Sequence, residues 1–211
     1  MLTSDSDATS RPGLRERNKR AKKERIRAAA LELFETKGYD ATTTREIAEH
    51  ADVGIGTVFM YAQDKRDLLF LIFNDVLDRM VEEAFARIDG RRSLSNQMTD
   101  LFGHFYAVFH ARATLARILL RELVFFSQGK QAAQFLANRR RILEGLERLA
   151  RAAIERGKVR ASEDPQEIAT AFFFLYSGEV RLWLNAEQPD LEQGIASLRR
   201  MFSLLERGLE A

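Results

Sequence analysis

Three prolines in 211 residues leave this chain almost without backbone punctuation, and that scarcity constrains its fold more than any other feature. A sandwich or barrel of short strands needs a turn signal about every 8–12 residues, and such signals are mostly proline and glycine. Here twelve glycines are spread over the whole length, and helix formers such as Ala, Leu, Glu and Arg dominate the stretches between them. An all-α fold is expected. With 45% hydrophobic and 30% charged residues, the chain has enough apolar surface to bury a core and is not of the disordered class.

Charge matters by position rather than by sum. The net charge is only +2, yet Arg11, Arg15, Arg17, Lys19, Arg20, Lys22, Lys23, Arg25 and Arg27 crowd one short stretch against Glu16 and Glu24. Such a run is either a solvated basic face or a surface for a polyanion. The absence of cysteine excludes disulfides, thiolate nucleophiles and cysteine-ligated zinc, and fits a reducing compartment. Residues 1–10 lack the apolar core of a signal peptide, and apolar runs such as 68–73 are too short to span a bilayer, so a cytoplasmic location with no membrane partner is expected.

The periodicity divides the chain into a polar basic tail over 1–18, a small helical domain over 19–64 and a larger helical domain over 65–211. A first helix over about 19–37 places Ile26, Ala30, Leu33 and Phe34 on one face, with Gly38 closing it. Thr43, followed three residues later by Glu46, forms a capping box ahead of a short helix over about 44–51. Asp52, Val53 and Gly54 turn the chain into another short helix over about 55–61, and Asp64 caps a long one reaching about residue 89. Five further helices are expected over about 93–111, 114–127, 130–156, 165–185 and 191–209.

Two short helices joined by a tight turn behind a basic helix meet the demands of a helix-turn-helix, whose second helix enters the major groove of DNA. Gly56 and Thr57 keep the start of that helix slim, so its backbone can approach a phosphate or a base edge. The stretch 38–69, GYDATTTREIAEHADVGIGTVFMYAQDKRDLL, resembles the DNA-binding domain of the TetR family. The shared features are a Gly-aromatic pair, a Thr-rich helix start, an Ile-Ala pair, a Gly-Thr start of the reading helix, an aromatic pair, and a Lys ahead of a Leu pair. That resemblance implies phosphate contacts from Thr43 and Arg45. It further implies that Ile55, Gly56, Thr57, Phe59 and Met60 face the major groove, with Tyr61 and Lys65 clamping the backbone beyond. The alternative is that Thr57 only caps, Phe59 packs in the small core and Tyr61 decorates the surface. Asp52 stands where the family usually has Gly, Gly54 where it often has Ser, Ile55 where it often has Lys, and Ala62 where an aromatic is common. The basic tail is a candidate arm for phosphates or the minor groove.

The resemblance also implies a homodimer on a palindromic operator, held by the last two helices and released or recruited by a small-molecule effector. In the last helix Leu191, Ile195, Leu198, Phe202, Leu205 and Leu209 form a narrow seam, while the helix before it is apolar nearly all round. Phe172, Gly178, Leu198, Phe202 and Leu205 are the candidate interface residues, unless both helices simply form the core of a monomer. Among the many aromatics of the second domain, Phe105, Phe109, Phe126 and Tyr176, with Arg121, are candidates to line an effector pocket, against the plainer reading of an aromatic core.

No enzyme signature stands against this. Gly54-Ile-Gly56 lacks the third glycine and the preceding strand of a dinucleotide fingerprint, and His50, His104 and His110 show no four-residue metal spacing. Neither a cofactor nor a metal site is expected. The expected function is a DNA-binding transcriptional regulator, a repressor answering a hydrophobic or amphipathic ligand, with a helical protein-interaction adaptor as the alternative.

Overall fold

The computed structural model describes residues 13–210, and among these the chain forms nine α-helices and no strand. It divides into two compact units, the first ending at Tyr61 and the second beginning at Ala62.

The first unit holds α1 (Leu14–Leu33), α2 (Thr44–His50) and α3 (Ile55–Tyr61), with a widened π turn over Phe34–Gly38 after α1. Helix α1 begins five residues before the expected start at 19, so residues 14–18 are helical rather than part of a tail; the rest of the expected tail, 1–12, lies outside the described residues. Gly38 takes a φ of 92°, the left-handed turn that releases the chain from the π segment. The capping box is formed: Thr43 Oγ1 accepts from Glu46 N at 3.3 Å, and the Glu46 carboxylate accepts from Thr43 N at 2.9 Å. Ile26, Ala30, Phe34, Ile47, Ala48 and Val58 are buried together, and the Phe34 and Tyr39 rings meet edge-on at 4.9 Å. A small three-helix core of this kind fixes the exposed faces of α2 and α3.

The second unit is built of α4 (Lys65–Ala86), α5 (Leu94–His110), α6 (Ala113–Glu122), α7 (Ala132–Glu155), α8 (Pro165–Leu184) and α9 (Leu191–Leu209). Side-chain oxygens of Asp64, Ser93, Asp164 and Asp190 cap α4, α5, α8 and α9, and Pro165 occupies the first turn of α8, where its missing N–H costs nothing. Helix α5 packs on α9, α7 on α8, and α4 on α7 and α5. Close approach of α4 and α7 depends on Gly145: a Cβ there would lie 2.1 Å from the Phe85 ring.

The expected helix over 114–127 ends earlier. Helix α6 stops at Glu122, and residues 123–131 form a loop in which Phe125 adopts a left-handed φ of 58°. Arg66 supplies the reason from outside the segment: its Nε and Nη2 each donate, at 2.7 Å, to the carbonyls of Glu122 and Val124. These donors satisfy carbonyls that a continued helix would otherwise pair.

Three of the expected interface residues are corrected by the packing. Phe172, Leu198 and Phe202 have no exposed surface; Phe202 lies against Phe172 at 5.0 Å and Phe102 at 5.8 Å inside the subunit. A narrow apolar seam needs one partner, and here that partner is the same chain. Gly178 is exposed and Leu205 half-buried. The outward apolar residues of these helices are Phe174 and Leu182 on α8 and Leu204 on α9, 61%, 72% and 58% exposed.

Candidate nucleic-acid interface and ligand cavity

Helix α3 buries Val58 and turns Ile55, Gly56, Phe59 and Met60 to the surface, with Thr57 half-buried. The alternative in which Phe59 packs in the small core is overturned, since 44% of its surface is open. Apolar side chains exposed side by side on a short helix lose free energy to hydration unless a partner covers them, and thymine methyls and base edges offer such cover. Thr43 and Arg45 stand exposed at the start of α2. Tyr61 is half-buried, and its hydroxyl donates to the Lys19 carbonyl at 2.9 Å, tying the end of α3 to α1. Lys65 belongs to the second unit, in the first turn of α4.

Two further features prepare this surface. Asp52 holds the turn between α2 and α3 in a left-handed conformation, φ 51°, which accounts for the glycine usual at that place; aspartate tolerates it better than most residues. The carboxyl of Glu46 is pulled down to about 2, first by its hydrogen bond with Lys37 and then by those from Thr43. The basic cluster stands on the first turns of α1, where Arg15, Arg17, Lys19, Arg20 and Lys22 are all exposed. It therefore presents its charge from a helix.

The second unit contains a cavity of about 530 Å³, within the range that holds drug-sized ligands. Phe105, Phe109, Phe126 and Tyr176, all expected there, line it; Arg121 does not, and its Nε bonds instead to Glu122 at 2.9 Å. Leu77, Met80 and Val81 of α4 form part of the wall, as do residues 123–127 of the loop after α6. Ser127, Asn138, Arg139, Ser177 and Arg181 are the lining polar residues that the sequence did not single out. For Ser177 and Arg181 a signal was available on α8, where Phe173, Ser177 and Arg181 follow at four-residue steps and so share a face. Burial raises the Tyr176 hydroxyl far above its ordinary value, so it remains a neutral group in the wall. Tyr106, by contrast, is buried outside the cavity lining, stacked on Trp183 at 4.5 Å.

The loop that walls the cavity is fastened to the start of α4. Phe126 stacks on Phe70 at 3.7 Å, and the Arg66 guanidinium lies 5.0 Å from the Phe126 ring centre. The fully buried Asp67 carboxylate accepts from Lys130 N at 2.8 Å, Gln131 N at 2.9 Å and Gln63 N at 3.0 Å. Gly129, at φ 118°, is required beside it, because a Cβ there would stand 2.8 Å from Asp67 Oδ1.

A family profile describing bacterial regulatory proteins of the tetR family matches residues 26–72. Over 69 residues the chain is 39% identical to the HTH-type transcriptional regulator HbdR of Aromatoleum sp. (strain CIB), a match covering 33% of this chain and 30% of that protein. That likeness is confined to about a third of each. The fatty acid metabolism regulator protein of Bacillus subtilis (strain 168) is 22% identical over 197 residues, 92% of this chain and 98% of its own. A crystal structure of the transcriptional regulator FadR from Bacillus subtilis in complex with stearoyl-CoA superposes with a TM-score of 0.68 at 19% identity, covering 89% of this chain and 99% of that one. At that identity the likeness is one of fold, and it takes in most of the chain beyond the profile.

Proposed function

We propose that the chain, whose residues 26–72 match the profile of tetR family bacterial regulatory proteins, is a member of that family and acts as a cytoplasmic, homodimeric repressor that leaves a palindromic operator when a small amphipathic ligand fills its cavity. The observation that carries the DNA-reading role is the outward face of α3, where Ile55, Phe59 and Met60 stand exposed around a single buried Val58. Hydroxyl and cationic groups at Thr43 and Arg45 suit phosphates, and the α3 side chains suit base edges. A homodimer would set two such helices about 34–36 Å apart, one turn of B-DNA, or a multiple of it.

The exposed apolar residues Phe174, Leu182 and Leu204 support a dimer through α8 and α9. Gly178 falls between Phe174 and Leu182 on the same face, and nothing lies within 4 Å of where its Cβ would be, so a partner helix can come close. The relative bound to stearoyl-CoA and the largely apolar lining of the 530 Å³ cavity support an effector with a long acyl chain. Helix α4 links ligand to DNA in this reading: it follows the reading helix after three residues of chain and contributes Leu77, Met80 and Val81 to the cavity wall. A ligand that prefers one position of α4 weakens operator binding by its difference in affinity for the two states.

The test is selection of genomic duplex fragments by the purified protein at two salt concentrations, beside Thr57→Ala and Phe59→Ala variants. Recovery of a palindromic site, weakened in both variants, is expected. No enrichment over random duplex DNA overturns the reading and leaves a helical protein-interaction adaptor.

A further inference from the structure

Two arginines line the ligand cavity. Arg139 on α7 and Arg181 on α8 both line it, whereas among the described residues no Asp or Glu does. The Arg139 guanidinium lies over the Phe173 ring, 5.7 Å from its centre, and Arg181 Nη1 donates to the Ser177 carbonyl of its own helix. Among the described residues neither forms an ion pair. Their neighbours on α7 behave differently: Arg140 pairs with Glu144 at 3.6 Å, and Arg141 pairs with Asp78. Of the three consecutive arginines 139–141 on α7, the one without an ion pair is the one that lines the cavity.

A cation against an apolar wall has lost part of its hydration, and an opposite charge brought beside it interacts more strongly than in bulk water. Arg139 is exposed and also lines an adjoining groove of about 300 Å³, which places it at the rim; the two acids of that groove, Glu144 and Glu147, pair with Arg140 and Arg151 instead. Arg181 is half-buried, two helical turns along α8 from Phe173, about 12 Å at 1.5 Å per residue. Resting on the reading of this cavity as the effector site, we propose that it selects amphipathic anions. The ligand is an aliphatic chain with a carboxylate or phosphate head, and Arg139 and Arg181 are the residues that impose the charge requirement. The chain occupies the space among Phe105, Phe109 and Phe126, and the head meets a guanidinium through charge-assisted hydrogen bonds.

The experiment is displacement of the neutral fluorescent dye N-phenyl-1-naphthylamine from the full-length protein by three probes with the same twelve-carbon chain: dodecanoate, lauroyl-CoA and dodecan-1-ol. At least one anion should displace the dye at a concentration lower than the alcohol by at least about tenfold. Dodecanoate acting as well as lauroyl-CoA assigns the head to a carboxylate; lauroyl-CoA acting alone assigns it to the phosphates. Combining Arg139→Gln with Arg181→Gln should erase the advantage of the anions over the alcohol, read as the ratio of the two within each variant, one or both single variants carrying the loss. Equal displacement by alcohol and anions, or an advantage that survives the double variant, overturns the charge requirement with the cavity reading intact. Dye that fails to enter at all sinks the cavity reading and this inference with it.

Discussion

Glu46 shows how much one exposed side chain does in the DNA-reading unit, since it closes the capping box of α2 and pairs with Lys37 at the end of the π turn. Its folded carboxyl lies at about 2, below the ordinary 4.5. A group depressed in this way stabilises the fold fully above its unfolded value and loses that contribution as pH falls toward its folded value. Glu46→Gln keeps an acceptor for the Thr43 amide and removes only the charge. Its stability deficit in urea unfolding should therefore be constant near neutral pH and shrink between about pH 5 and about pH 2. A deficit unchanged down to the acid limit would show that the charge contributes nothing. Asp52 teaches a related lesson: the sequence marked it as a departure from the family's glycine, and its φ of 51° gives the departure a physical meaning.

At the scale of elements, the start of α4 and the loop over 123–131 form one fastened piece. Arg66 holds the end of α6 by two carbonyls, and the buried Asp67 carboxylate receives the amides that open α7. Removing Arg66 leaves two carbonyls without donors and one face of Phe126 uncovered, but it creates no buried charge. Arg66→Met should accordingly leave the helix content intact while amide exchange over 123–131 accelerates by about tenfold or more, the equivalent of one or two lost hydrogen bonds. Asp67→Asn is harsher, since its NH2 cannot accept what the second carboxylate oxygen accepts, and about 2 kcal/mol of stability should go in urea unfolding. Exchange over 123–131 that stays as slow in Arg66→Met as in the natural protein would refute the fastening. This piece also marks where the sequence stopped being legible. The helix starts at Thr44, Lys65, Pro165 and Leu191 were readable because their caps are neighbours in sequence. The end of α6 was not, because its cap is Arg66, more than fifty residues earlier. The cavity was half legible for a similar reason: aromatic residues announce an apolar wall, but whether an arginine faces it depends on helix rotation. So Arg121 lies off the cavity, while Arg139 stands at its rim and Arg181 in its wall.

For the whole molecule, the proposed homodimer needs an apolar surface that the subunit does not itself cover. Periodicity in α8 and α9 marks a buried stripe without saying whether the cover comes from the same chain, and the stripe through Phe172, Leu198 and Phe202 is consumed internally. What remains outside is a second set, Phe174, Leu182 and Leu204. The two sets make opposite demands on substitution. Phe202→Ala empties a fully buried site and should cost about 3–5 kcal/mol, lowering the urea midpoint whatever the oligomeric state. Leu182→Glu combined with Leu204→Glu touches only exposed positions, so the fold should keep its midpoint when extrapolated to low protein concentration, while a charge set into an apolar contact abolishes association. Sedimentation should then report a monomer of about 24 kDa. Binding to a palindromic site should fall by far more than binding to a half-site, because the second reading helix no longer arrives with the first. A double variant that still sediments as a dimer would move the interface off this face of α8 and α9. Equal losses on palindrome and half-site would instead separate dimerisation from operator recognition.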